Sequence, residues 1–164
     1  MAVSRKNPWN IVNFQVYALS TLEKAPKANM NICTYVTKVS ANPKFMAIAI
    51  QKHTKTFENL KTNPKCILQY LSYEDIDLVR TLGYKSGRYF DKLKGLEDRL
   101  MYDERALPYL KTAISAIWLE VFKWDDFGGD HVMAFFRISK MKNLNPTKKP
   151  LTYEDLRQKG FRRT

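Results

Sequence analysis

The 164-residue chain is 45% hydrophobic and carries 28 Lys and Arg against 16 Asp and Glu, a net charge of +12. That is enough apolar material for one domain with an ordinary core, and no apolar run approaches the roughly 20 residues a membrane-crossing helix needs. Two cysteines, Cys33 and Cys66, and two histidines, His53 and His131, give neither a disulfide framework nor a zinc-binding spacing, so no metal is expected and the thiols read as buried groups in a reducing compartment.

In chain order, Ser4, Arg5, Lys6, Asn7 and Pro8 lack the apolar centre of a signal peptide, and a cytoplasmic protein is the expectation. Apolar or alternating runs predict strands at residues 13–19, 33–39, 45–50, 66–71, 113–124 and 132–141. Asn29, Met30 and Asn31 read as a polar loop before the second of these, and Asn42-Pro43 as the turn after it. Lys52, His53, Thr54, Lys55 and Thr56 make a donor-rich loop, followed by a short helix at 56–61 that stops before Asn63-Pro64. A second helix is predicted at 73–82, ending on Gly83 as a left-handed cap, and a third at 88–93, with Ser86 as its cap.

The two long strands flank Asp125-Asp126-Phe127-Gly128-Gly129-Asp130, whose glycines permit the reversal of a hairpin. Asn143 to Pro150 reads as a surface linker, and Thr152 with Asp155 as a capping box opening a last short helix to Lys159. Long antiparallel strands with few charges must close or be covered, so the expected fold is mainly β, a barrel with a few short peripheral helices. Seven of the twelve excess positive charges fall from Arg137 onward, including Lys148, Lys149, Arg157, Lys159, Arg162 and Arg163.

Strand ends that hand over to hydroxyl, amide and ammonium donors suit a phosphate-bearing ligand. Tyr17 to Thr21, Asn29 to Ser40, Pro43 with the following strand, Lys52 to Thr56, Ser86-Gly87-Arg88, Asp91-Lys92-Leu93 and Gly129-Asp130-His131 together resemble the flavin reductase-like family over roughly residues 12–142. The resemblance implies a single domain over 1–164, an FMN-binding split barrel of Greek-key type with residues 143–164 as a basic extension. It also implies a homodimer with flavin near the subunit contact. Asn29, Cys33, Thr34 and Tyr35 would meet the flavin ring and ribityl chain, with Met30 and Asn31 beside them among the cofactor-binding residues. Lys52 and Thr56 would meet the phosphate, with Ser86 and Lys92 as further candidates and His53 and Thr54 among the cofactor-binding residues. Two positions depart from the family pattern: Ile32 replaces a hydroxyl residue, and Thr54 a basic one.

Read without the resemblance, Asn29 and Asn31 are equally turn residues and Lys52 and Lys55 solvated charges. His131 either ends a hairpin or, as the resemblance implies, places a nicotinamide dinucleotide. The implied activity is hydride transfer from NADH or NADPH to flavin, FMN rather than FAD, with no catalytic acid or base required of the protein. Alternatives are a flavin-binding electron carrier, and a small basic barrel that binds nucleic acid. The last lacks an RNP-like aromatic motif. An acidic redox partner would suit the positive charge.

Overall fold

The computed structural model describes residues 8–161; the opening basic stretch before Pro8, and Arg162 and Arg163 of the cationic tail, lie outside them. In order come β1 (Tyr17–Lys24), β2 (Lys27–Cys33), β3 (Val36–Ala41), β4 (Lys44–Gln51), α1 (Lys55–Thr62), β5 (Lys65–Tyr70), α2 (Val79–Tyr84), β6 (Leu100–Tyr102), β7 (Pro108–Leu110), β8 (Ser115–Asp125), β9 (His131–Asn143) and α3 (Tyr153–Gln158). Seven strands form one antiparallel sheet in the order β2-β1-β5-β8-β9-β4-β3, and β6 with β7 forms a small separate hairpin.

The outermost strands, β2 and β3, are consecutive in the chain, with only Thr34 and Tyr35 between them. A trans backbone spans at most about 3.6 Å per residue, so the facing ends of these strands stand within roughly 11 Å of one another. The sheet therefore curls on itself into a barrel that stays split between β2 and β3. The Tyr35 carbonyl, accepting from the Ala49 amide at 3.0 Å, pins that crossing to β4. The mainly β split barrel expected from the sequence is the fold observed.

Strand alternation sends one set of side chains inward and the other outward. Leu19, Met46, Ile48, Leu68, Leu119 and Phe136 fill the interior. A second core, with Val16, Ala18, Met30, Leu71, Leu82, Leu151 and Leu156, lies on the outer face of β1 and β2 beneath α2 and α3. The last helix opens on the predicted capping box, with the Thr152 amide donating to Asp155 Oδ2 at 2.9 Å and the Asp155 amide to Thr152 Oγ1 at 3.4 Å.

Several local expectations are corrected. Asn29, Met30 and Asn31 are not a loop but the middle of β2, because β1 offers each a ladder partner: Thr21, Ser20 and Leu19. The break falls instead at Thr34 and Tyr35, inside the predicted 33–39 strand. The first strand begins at Tyr17 rather than residue 13, since the backbone ahead of it pairs with the C-terminal segment: the Val16 amide donates to the Leu151 carbonyl and the Tyr153 amide to the Phe14 carbonyl, both at 2.9 Å. Residues 73–78 are 3-10 rather than α-helical, and Gly83 lies within α2 instead of capping it. A Cβ on Gly83 would stand 3.3 Å from Ile32 Cγ1, so this glycine serves close helix–strand packing. Residues 88–93 form no helix. Their one turn, with the Phe90 amide on the Ser86 carbonyl, stops where Asp91 Oδ1 takes the Leu93 amide.

At the β8–β9 reversal, Gly128 adopts the positive φ of +83° and Gly129 does not. Residues 143–150 are a tethered strap rather than a loose connection: Asn145 Nδ2 donates to the Lys111 and Ala113 carbonyls, both at 2.8 Å, and the Lys149 carbonyl accepts from the Tyr73 amide. No helix among the described residues is long and apolar enough to cross a membrane.

Candidate functional site

A groove of about 570 Å³ follows the split, within the roughly 300–1,000 Å³ usual for small-molecule sites. Its main wall is β2. Asn29, Asn31 and Cys33 share one face of that strand with a period of two, opposite Thr21, Leu19 and Tyr17 of β1. The same period turns Met30 to the other face, where it is fully buried in the outer core, so Met30 does not line the groove. Ile32, also on that face, reaches the groove edge beside Gly83.

At one end stands α1. Thr54 is its N-cap, donating through Oγ1 to the Gln51 carbonyl at 2.8 Å and accepting the Phe57 amide at 3.2 Å. Its hydroxyl thus holds the turn that delivers Thr56 to the groove. Thr56 is buried and accepts from Asn29 Nδ2 at 3.2 Å, tying β2 to the helix start. His53, Thr54, Lys55, Thr56, Ser86 and Gly87 surround this end. Lys55 is already neutralised by Glu23 at 3.2 Å and Glu58 at 3.7 Å, and its hydrogen bond holds the Glu23 carboxyl below the ordinary range. Lys52 is not brought to the groove. Its ammonium is 2.6 Å from Asp126 at the β8–β9 reversal, and that contact lowers the Asp126 carboxyl.

Midway along the wall lies Lys92, 4% exposed. Its ammonium donates to the Leu82 carbonyl at 2.7 Å and to Asn31 Oδ1 at 3.4 Å, and burial pulls it down to about 8. Beyond Cys33 the groove passes Thr34, 8% exposed, whose Oγ1 is buried without a hydrogen-bond partner. Orphaned buried hydroxyls are uncommon and costly. This one sits on the wall, at the crossing that splits the sheet, where a bound molecule would satisfy it. Tyr35 follows, its ring edge-on to His131 with centroids 5.5 Å apart. Asp130 Oδ1 lies 2.9 Å from His131 Nδ1 and is itself lowered by that contact.

Eleven of the thirteen residues singled out from the sequence therefore line one groove: Asn29, Asn31, Cys33, Thr34, Tyr35, His53, Thr54, Thr56, Ser86, Lys92 and His131. Met30 and Lys52 do not. Sequence reasoning missed Gln51, Tyr84 and Gly87, and above all Tyr153, Leu156 and Phe161, which bring the C-terminal segment onto the wall. The capping box located α3, but nothing local to it indicates where the helix docks. Among the described residues no three His, Cys, Asp or Glu come together as a metal site.

A family model described as the flavin reductase like domain matches residues 10–162, taking in α3 and the strap before it. The fold is shared with the FMN-binding protein of Thermus thermophilus, solved with bound 1-cyclohex-2-enone, at a TM-score of 0.74 and 20% identity over 87% of this chain and 78% of that one. Flavoredoxin of Methanosarcina acetivorans superposes with a TM-score of 0.75 at 19% identity over 93% and 86% of the two chains. The NADH:FAD oxidoreductase of Streptomyces globisporus C-1027, solved with NAD and FAD fragments, gives 0.75 at 14% identity over 88% and 82%. In sequence, the high molecular weight rubredoxin of Moorella thermoacetica is 30% identical over 91 residues, 55% of this chain but only 39% of that relative's length.

Proposed function

The chain belongs to the flavin reductase-like family, and from that premise we propose that the groove holds FMN and that the protein is an oxidoreductase using NADH or NADPH. The observation that carries this reading is the buried Thr34 hydroxyl, which lacks a partner within the fold, on a wall shared with the amides of Asn29 and Asn31. That donor and acceptor set suits the pyrimidine edge and ribityl hydroxyls of a flavin. Thr56, Ser86 and the first amides of α1 suit its phosphate, since a helix start concentrates unpaired N–H groups and partial positive charge. Gly87 leaves room there, because a Cβ would stand 2.1 Å from Asn29 Oδ1.

When bound, FMN supplies the two-electron acceptor chemistry, so no general acid or base is asked of the chain. The protein's part is position and exclusion. Asn29, braced by Thr56, holds the β2 wall in register with α1. Tyr35 and His131 stand at the far end, where Asp130 fixes the imidazole through Nδ1 and leaves Nε2 as the ring's other polar atom. They are the residues we assign to the nicotinamide dinucleotide.

The test is the visible spectrum of the purified protein after FMN is supplied, followed by NADH or NADPH without oxygen. Retained flavin bands that bleach are the expected result; failure to retain any flavin overturns the reading. A second reading keeps the flavin without nicotinamide oxidation, and the relatives named flavoredoxin and high molecular weight rubredoxin favour it. Bands that persist after both nucleotides would select it. Pairing of two copies belongs to the same proposal and is checked by sedimentation of the flavin-loaded protein.

Thr34→Val removes the orphaned hydroxyl at nearly constant shape. The flavin-free protein should melt at the same temperature or higher, because a buried unsatisfied group costs about 1–3 kcal/mol. FMN affinity should fall about tenfold, the loss of one hydrogen bond of ~1.4 kcal/mol. Titration by flavin fluorescence reads the affinity, and an unchanged value removes Thr34 from the site.

A further inference from the structure

Three lysines line the groove. Lys55 is paired with Glu23 and Glu58, and Lys85 sits over the Phe90 ring, 3.9 Å from its centroid. Lys92 is the buried one, and both its partners, the Leu82 carbonyl and Asn31 Oδ1, are uncharged. Among the described residues no carboxylate is paired with it. The other titratable groups on the wall are Cys33 on β2, Tyr35 beyond it, His53 and Lys55 at the head of α1, Tyr84 and Lys85 at the end of α2, Asp130 and His131 at the head of β9, and Tyr153 on α3. Asp130 is the single carboxylate among them, and it is held by His131. On the loop of Lys92 itself, Asp91 is exposed and accepts the Leu93 amide. A buried ammonium with neutral partners only is expensive, and a fold tolerates it most readily where a ligand brings the missing charge.

Resting on the flavin reading above, we propose that Lys92 sets the charge selectivity of the groove: the negative charge of the bound flavin, on its phosphate or on the electron-rich pyrimidine edge of its ring, is the counter-charge that the fold withholds from this ammonium. Binding and protonation are then linked. In the flavin-free protein the ammonium loses its proton near pH 8, and an adjacent negative charge raises that point. Above pH 8, flavin binding takes up a proton, and affinity falls by up to about tenfold per pH unit. At pH 7 the lysine is already protonated and little is taken up.

The experiment titrates the full-length, flavin-free chain with FMN and with riboflavin at pH 7, 8 and 9 by calorimetry in two buffers of different ionisation heat. Expected is an uptake rising toward about one proton per FMN at pH 9, abolished in Lys92→Gln. Uptake with FMN alone assigns the charge to the phosphate, and uptake with riboflavin as well assigns it to the ring edge. Absence of uptake in the native protein at pH 9, or equal uptake in Lys92→Gln, overturns the inference while flavin binding stands. If neither flavin binds, the functional reading falls and this inference with it.

Thermal melting of Lys92→Met gives a readout independent of binding. An unfolded lysine titrates near ~10.4, so between pH 8 and 10.4 the unfolded chain binds more protons than the native one, and native stability rises with pH. The variant lacks this rise. Its advantage in Tm over the native, flavin-free protein should therefore grow from pH 10 to pH 8, stay level below, and shrink when FMN is added. A pH-independent difference overturns the inference.

Discussion

Gly87→Ala is expected to weaken FMN binding by roughly 10- to 100-fold, at a much smaller cost in stability. A Cβ at this position would meet Asn29 Oδ1 at 2.1 Å, Asn29 Cγ at 3.0 Å and Lys55 Cβ at 3.2 Å. Asn29 cannot yield easily. Its Nδ2 is committed to Thr56, and its backbone is laddered to Thr21 of β1. The loop from Lys85 to Gly87, exposed at Lys85 and Ser86 and half-buried at Gly87, is the softer element and must move outward, taking Ser86 from the groove end. Overpacking of this kind costs about 1–3 kcal/mol, and because the loop carries the displacement, most of that cost should appear when ligand requires the loop in place. Gly129→Ala is the control, since a Cβ there meets nothing within 4 Å and its φ is not positive. Fluorescence titration and melting of both variants read the two effects separately. Native-like affinity in Gly87→Ala would show that this loop is not a wall of the site.

Phe136→Ala should give the largest loss of stability, about 3–5 kcal/mol by the cost of removing a fully buried aromatic. Phe136 is 0% exposed, pairs across β9 with Met46 of β4 and Val121 of β8, and sits in the interior cluster with Leu19, Ile48 and Leu68. Total stabilities of single domains run to about 5–15 kcal/mol, so the variant should lose a fifth or more of the native stability. Phe127→Ala, at the β8–β9 reversal and 78% exposed, should stay within about 0.5 kcal/mol of the native protein. Denaturant titration compares the two. Similar midpoints would mean that the barrel interior does not close over Phe136.

The most legible features of the fold are those whose roles follow from local pattern. Thr152 and Asp155 announce a helix start because both partners of the capping box lie within one turn. Gly128 allows the reversal between the long strands for an equally local reason, its positive φ. Asn29 and Asn31 illustrate the limit. They share one groove-facing side of β2, yet their local sequence reads as a loop, because strand membership comes from ladder partners on β1 that no window around residue 30 contains. Local sequence groups Met30 with those neighbours, and only the pleat of a paired strand turns it to the opposite core.

By itself the sequence determined the β-rich barrel, the reversals that punctuate it and a family likeness strong enough to group eleven residues of one groove, since periodicity, turn chemistry and short motifs act over a few residues. Tertiary structure alone decided that Lys52 turns to Asp126, 74 positions away, and that Lys92 meets Asn31 across 61 positions with no carboxylate beside it. It also decided that α3 supplies part of the groove wall. These are pairings between distant segments, set when the sheet forms and brings the end of β4 to the β8–β9 reversal, the Lys92 loop to β2, and the C-terminal segment onto the groove. Residues so far apart in the chain exert no force on one another until that closure has happened.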